Sequence, residues 1–314
     1  MAARVPVLCR AASYTMARME VKQARRRSSD PAAGARRSKD AVAGAAQLAC
    51  VLEASAEKPG NITPRHDFAD TSYEDMLRSA IALGPELGRA AERGVGDTVL
   101  AAVRATRRVA GANTNLGIAL LLTPLARAAL LGGTLRRRAE EVLRALTLDD
   151  ARAAYAAIRT AGAGGLDEPV EQDVRAAPTM GLRDAMATAA DRDSVAAEYA
   201  NGYAVTFELG LPALAGALDE GLGPRSASVE LYLALLAAVP DTLVARKRGR
   251  RAAERVSADA ARVLAAGGVR GDAGQAALQA FDASLRRDGN ALNPGTTADL
   301  VTAVLFVALL EGLL

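Results

Sequence analysis

The chain contains no tryptophan, only four phenylalanines and six tyrosines, two cysteines and a single histidine in 314 residues. Cys9 lies near the N-terminus and Cys50 in an apolar pattern. They offer neither a disulfide framework nor a cysteine-rich metal site, and a reducing, cytoplasmic compartment is expected. One histidine excludes a metal centre built from several. Scarce aromatics beside abundant Ala, Leu and Arg favour helices packed through small residues, and no alternating strand pattern or repeat period persists, so an all-α fold is expected. Long apolar runs are also missing. Leu116 to Leu131 is cut by Pro124 and Arg127, and Leu300 to Leu310 ends at Glu311; both fall short of the roughly 20 residues of a membrane span and read as buried helices.

The net charge of +3 is unevenly spread. The first forty residues hold ten Lys or Arg against three acids, and the remainder carries 29 basic and 33 acidic residues. Residues 1–40 lack apolar periodicity and are predicted to be a disordered basic extension; a transit-like segment, or a true start at Met16 or Met19, are the other readings. Residues 41–314 are predicted to form one multi-helix bundle. A mildly acidic body argues against a broad nucleic-acid surface, so neither nucleic acid nor membrane is expected as a partner, and any phosphate binding must be local.

What is present in unusual density is a charged loop. Glu53-Ala-Ser-Ala-Glu57-Lys58-Pro59-Gly60-Asn61 leads through Arg65, His66 and Asp67 to Asp70. A turn between helices has no need of this collection, which suggests a site for a metal and an anionic substrate. The helix before it is predicted over Ala41–Ala56, with Ala45, Leu48, Leu52 and Ser55 as its buried stripe and Glu53 off that stripe, on the face of Glu57. Thr71-x-x-Glu74 has the form of a capping box for the next helix. Further helices are predicted from Asp97 to about Ala110, with Arg104, Arg107 and Arg108 on one face, and over 136–146, 150–161, 194–208, 227–239 and 252–266.

Three short stretches share helix-start chemistry. In Asn113-Thr114-Asn115-Leu116-Gly117 either Thr114 or Asn115 can cap the apolar helix that follows, and the same helix start could bind phosphate. Pro240-Asp241-Thr242 precedes the basic run Arg246-Lys247-Arg248. In Asn293-Pro294-Gly295-Thr296-Thr297-Ala298-Asp299 the Thr296-x-x-Asp299 spacing fits a capping box.

Taken together, Glu53-x-x-x-x-Lys58-Pro59-Gly60-Asn61 followed by His66-Asp67, then Asn113 to Gly117, then Asn293 to Leu300, resemble the triphosphoribosyl-dephospho-CoA synthase family, in the expected order over roughly residues 41 to 312. The resemblance implies transfer of the triphosphoribosyl unit of ATP to the 2′-hydroxyl of 3′-dephospho-CoA with release of adenine, which yields a prosthetic-group precursor for an acyl carrier protein. Breaking an N-glycosidic bond calls for carboxylates near the ribose and a base near the attacking hydroxyl, and a triphosphate calls for Mg²⁺ or cations.

On this reading Glu53, His66 and Asp67 are the catalytic candidates, with Glu53 and Asp67 as the metal pair. Lys58, Gly60, Asn61, Arg65, Asn113, Thr114, Asn115, Asp241, Arg246, Asn293, Gly295 and Asp299 are the substrate and phosphate candidates. The sequence departs from the citrate-lyase and malonate-decarboxylase members, which carry Asn-Thr-His-Lys-Gly at 113–117 and Ser-Pro-Gly-Gly-Ser at 293–297. The acceptor is therefore dephospho-CoA or a related molecule, for instance in making a one-carbon cofactor. A non-catalytic helical nucleotide-binding protein is the alternative of a different class.

Overall fold

The computed structural model describes residues 34–111, 114–162 and 173–314. Residues 1–33, most of the expected extension, and Asn113 lie outside the described residues. Among the described residues the fold is all-α: fourteen α-helices, one π-helical segment and no strand beyond an isolated bridge between Thr63 and His66. The helices are α1 (Lys39–Ser55), α2 (Tyr73–Gly88), α3 (Val95–Arg107), α4 (Leu116–Leu131), α5 (Leu135–Arg144), α6 (Leu148–Ala161) and α7 (Leu182–Ala187). They continue as α8 (Ser194–Asn201), α9 (Leu211–Asp219), α10 (Pro224–Ala238), α11 (Thr242–Arg248), α12 (Arg250–Ala265), α13 (Gly271–Leu285) and α14 (Gly295–Glu311).

The two longest apolar runs form the centre. From Ile118 to Ala126 every residue of α4 is buried, and α14 is buried over nearly all of its length from Thr296 to Ala308. A helix apolar on all sides must be surrounded by others, and α14 touches α1, α4, α8, α9, α10, α11 and the π segment. No single helix among the described residues is long and apolar enough to cross a membrane.

Pro124 lies inside α4 and supplies no N–H to the carbonyl of Leu120. The hydroxyl of Tyr199 donates to that carbonyl at 2.7 Å, and that of Tyr203 donates to Leu121 O at 2.6 Å. Both tyrosines are fully buried, and their position breaks the helix predicted over 194–208: α8 stops at Gly202, Tyr203 takes a positive φ of 60°, and Val205–Gly210 is π-helical. Glu198, also fully buried, accepts from the backbone of Val205 and Thr206, both at 2.9 Å, and from the Thr206 hydroxyl.

Two other local expectations are displaced. The buried stripe of α1 is Val42, Ala46, Ala49, Cys50 and Glu53, while Leu48 is 45% exposed. Glu53 therefore faces inward, because α1 packs between α2 and α14 and both neighbours select that face. The capping box of α2 is Ser72 with Asp75, one residue beyond the predicted pair, and α3 begins at Val95, ahead of Asp97. Residues just before α1 are tied to the body: Arg37 N–H donates to Ala129 O at 3.0 Å, its guanidinium to Leu310 O at 2.6 Å, and Gly133 N–H to Gly34 O at 2.7 Å.

Candidate active site

The end of α1 carries a buried ion pair. Lys58 Nζ lies 3.0 Å from Glu53 Oε1 and also donates to the carbonyls of Glu53 and Ala56, and both side chains are almost wholly buried. Glu53 Oε2, also buried, has no partner among the described residues.

The loop that follows is fixed by α10 and α13. Tyr232 OH donates to Pro59 O at 2.8 Å and accepts from the Asn61 amide at 3.0 Å. Gly60 N–H donates to Asp282 Oδ1 at 2.8 Å, and Arg286, ion-paired with Asp282, donates to Asn61 O at 2.7 Å. Gly60 has a φ of +74°, and a Cβ there would lie 2.8 Å from Leu285 Cδ1 and 3.3 Å from Pro294. Only glycine allows the loop to seat against the start of α14.

At that start Asp241 joins two helices. Its Oδ1 accepts from Leu243 and Val244 N–H, capping α11, and its Oδ2 accepts from the backbone at 2.7 Å and the hydroxyl at 2.8 Å of Thr297 in α14. Burial pushes the Asp241 carboxyl up from its ordinary value, and these hydrogen bonds oppose the shift. With both oxygens engaged, Asp241 acts as a clamp. Gly295 begins α14 with its Cα against Leu243.

Asp299 does not close a capping box with Thr296; α14 has no side-chain cap. Its half-buried carboxylate instead rests on Gly117 in the first turn of α4, where a Cβ would lie 2.0 Å from Asp299 Oδ2. Burial first, then the negative charges of Glu53, Asp241 and Asp193, raise the Asp299 carboxyl well above the aspartate range, opposed by Arg246. Arg246 is itself held by Asp193 at 2.6 Å.

The same helix start holds Asn115, 2% exposed, with Oδ1 and Nδ2 both without a partner among the described residues, and it makes no capping bond to α4. Thr114 shares a hydrogen bond of 2.6 Å with Ser79 of α2. Asn293 Oδ1 is also buried and unpartnered. The three motif segments thus meet. Four of the five buried side-chain atoms without a partner among the described residues belong to them, the fifth being Ser257 Oγ.

The outer half of the charged loop lies elsewhere. Arg65, His66 and Asp67 are exposed; Arg65 pairs with Glu57 at 3.5 Å, and Asp67 Oδ1 accepts from Tyr73 N–H at 2.8 Å, holding the start of α2. His66 and Asp67 line an open depression of about 490 Å³ together with Arg286, Asp288 and Asn290. Lys247 of α11 borders it, donating to Asn290 O at 3.1 Å. Burial lowers the Lys247 ammonium from its ordinary value, against the pull of Asp241 and Asp70.

The predicted metal pair of Glu53 and Asp67 is not assembled. Glu53 is buried against Lys58, Asp67 is exposed against Tyr73, and the carboxylate electrostatically coupled to Glu53 is Asp299. No three His, Cys, Asp or Glu side chains are grouped to hold a metal among the described residues, so the donor set does not fit a Mg²⁺ ion held by the protein alone.

Comparison with known proteins decides the family. The family of ATP:dephospho-CoA triphosphoribosyl transferases matches residues 39–314. The chain belongs to this family. Among its relatives, a protein of Stutzerimonas stutzeri named for 2-(5''-triphosphoribosyl)-3'-dephosphocoenzyme-A synthase is 34% identical over 110 residues, 34% of this chain and 36% of that protein. The synthase of that name from Klebsiella pneumoniae is 34% identical over 113 residues, 35% of this chain and 39% of its own. These matches span little more than a third of each relative. A solved structure named for triphosphoribosyl-dephospho-CoA synthase, from Archaeoglobus fulgidus, superposes with a TM-score of 0.60 at 30% identity, covering 75% of this chain and 99% of its own.

Within this transferase family member, sequence reasoning missed Tyr232, Asp282 and Arg286, which hold the Lys58–Asn61 turn. Tyr232 gives no local signal. The Asp282-x-x-x-Arg286 spacing is an i,i+4 charge pair that marks a helix face, and it was the available clue to α13.

Proposed function

We propose that the chain transfers the triphosphoribosyl group of ATP to the 2′-hydroxyl of 3′-dephospho-CoA, or a closely related acceptor, with release of adenine. The observation that carries the reading is that the three motif segments touch, Asp299 against Gly117 and Gly60 against Pro294, and that Glu53, Asn115 and Asn293 on those segments carry buried side-chain atoms without a partner among the described residues, with Glu53 acting on the Asp299 carboxyl. Each such atom costs about 1–3 kcal/mol when left unbonded, and a folded protein keeps several together where a ligand supplies the bonds.

The two carboxyl groups divide the work. Glu53 is an ion-paired carboxylate with Oε2 as an acceptor. Burial first, then the charge of Glu53, raise the Asp299 carboxyl well above the aspartate range, so it is the member of the pair that favours holding a proton. Pairs of carboxyls whose environments separate their proton affinities serve as base and acid. Glu53 Oε2 takes the proton of the attacking hydroxyl as the new C1′–O bond forms, and Asp299 gives its proton to a ring nitrogen of adenine as the C1′–N9 bond breaks. Return of a proton from Glu53 to Asp299 resets the pair. Negative charge from Glu53 also favours the oxocarbenium-like carbon between the two events.

The triphosphate extends toward Arg246, whose charge acts on Asp299, and its neighbour Lys247 in the last turn of α11. Mg²⁺ would come with ATP as the counter-ion of the triphosphate and would neutralise its charge there. The test is purified full-length protein with ATP, Mg²⁺ and 3′-dephospho-CoA, read by chromatography of free adenine. Adenine in amounts equal to the modified acceptor is the expected result. ADP or inorganic phosphate in its place overturns the reading, and adenine appearing only with another acceptor moves the proposal to that acceptor.

A further inference from the structure

Asn115 poses a chemical question that the carboxyl pair does not answer. Its side chain lies at the N-terminus of a sixteen-residue helix in a residue 2% exposed, neither Oδ1 nor Nδ2 has a partner among the described residues, and no capping bond is made to the helix it starts. Burying an unpaired donor and an unpaired acceptor on one side chain is costly, so the partner must offer both complements side by side. A bare helix N-terminus would favour an anion. Here an anion is disfavoured, because the Asp299 carboxyl rests on Gly117, two residues along the same helix, and Glu53, Asp241 and Asp193 all act on that carboxyl. The cations Arg246 and Lys247 belong to the last turn of another helix, α11.

A neutral, planar ligand edge with an adjacent donor and acceptor meets these demands. The amide of asparagine pairs in two bonds with adenine, accepting from the N6 amino group and donating to N7. We infer that Asn115 reads the adenine base of the donor nucleotide through its N6 and N7 edge, and so selects adenine over other purines. The inference rests on ATP as the donor, as in the proposed function. It also gives Asn115 a part in the reaction, since a hydrogen bond to N7 draws electrons from the departing base and leaves another ring nitrogen for Asp299.

The test is a binding measurement on the full chain without any acceptor, using ATP, 7-deaza-ATP, which lacks N7, and inosine triphosphate, which has an oxygen in place of the N6 amino group. The parent protein is expected to bind ATP about ten- to a hundredfold more tightly than either analogue, the range a two-bond amide–base contact provides. Asn115→Ala should abolish the preference for ATP, lowering ATP binding more than that of either analogue, each of which has only one bond to lose. Asn115→Asp can still accept from N6 but cannot donate to N7, so it should keep the preference over inosine triphosphate and lose the preference over 7-deaza-ATP; this variant decides the matter if the alanine variant does not fold. Equal affinity for all three nucleotides in the parent, or equal weakening of all three by Asn115→Ala, overturns the inference and leaves a ribose, water or packing role. Base selectivity without adenine release overturns the transfer reaction alone, and adenine release with selectivity untouched by Asn115→Ala overturns the base contact alone.

Discussion

The carboxylate of Asp299 and the Cα of Gly117 are in contact, close enough that a Cβ on Gly117 would lie 2.0 Å from Asp299 Oδ2 and 2.6 Å from its Cγ. The two residues are far apart in sequence and belong to α14 and α4, the two central helices. Their contact joins two of the three motifs, and it gives Gly117 a reason to be glycine that does not depend on its backbone angles.

The first prediction follows from that contact. Gly117→Ala forces the Asp299 carboxyl out of its position, because the methyl group and the carboxylate cannot share the space. Adenine release should fall at least tenfold, while the helical circular dichroism spectrum is unchanged. Full activity in Gly117→Ala would show that the carboxyl can work from elsewhere.

A second prediction concerns pH. The folded chain holds a proton on Asp299 at pH values where an unfolded chain, with an ordinary value of 3.8, has lost it. The associated stability is present in full below 3.8 and is lost as pH rises through the raised folded value. Asp299→Asn removes this dependence, so its melting temperature should exceed the parent's at pH 8, with the difference shrinking toward pH 4. A constant difference across that range would mean that Asp299 is ionised in the folded protein at neutral pH.

The helical class, the two central helices and the motif segments were legible because each is a local pattern: composition, an apolar run, or a short string such as Lys58-Pro59-Gly60-Asn61. The ends of α4 match the predicted run from Leu116 to Leu131. What sequence reasoning misplaced depends on partners distant in the chain. The buried face of α1 rotated to include Glu53 because α2 and α14 flank it, and Leu48 was left outside. Lys58 and Asp241 looked like ligands for phosphate, yet Lys58 answers Glu53 and Asp241 answers Thr297. The break after α8 required knowledge that Pro124 leaves a carbonyl for Tyr199.

The third prediction separates the exposed part of the loop from the buried part. Asp67 holds the N–H of Tyr73 with one oxygen and faces solvent. An asparagine in its place keeps an oxygen for that bond, so Asp67→Asn should retain most adenine release, and Asp67→Ala should lower the melting temperature by a few degrees at most. Loss of turnover in Asp67→Asn with ATP binding intact would restore a catalytic charge at this position.

The last prediction concerns Lys58 and Glu53, whose buried ion pair closes α1. Removing one member of such a pair leaves an uncompensated charge in the interior and typically costs about 3–5 kcal/mol, whereas replacing both by uncharged groups of similar size is often nearly neutral. Lys58→Met should therefore be strongly destabilised. Glu53→Gln together with Lys58→Met should recover most of the loss, a coupling that urea denaturation of the two single variants and the double variant measures directly. Stability and chemistry then part. The double variant should fold and still fail to release adenine, because the carboxylate oxygen proposed to take the hydroxyl proton is gone. A double variant with restored stability and parental turnover would remove Glu53 from the reaction and leave the ion pair as a purely structural closure of the helix.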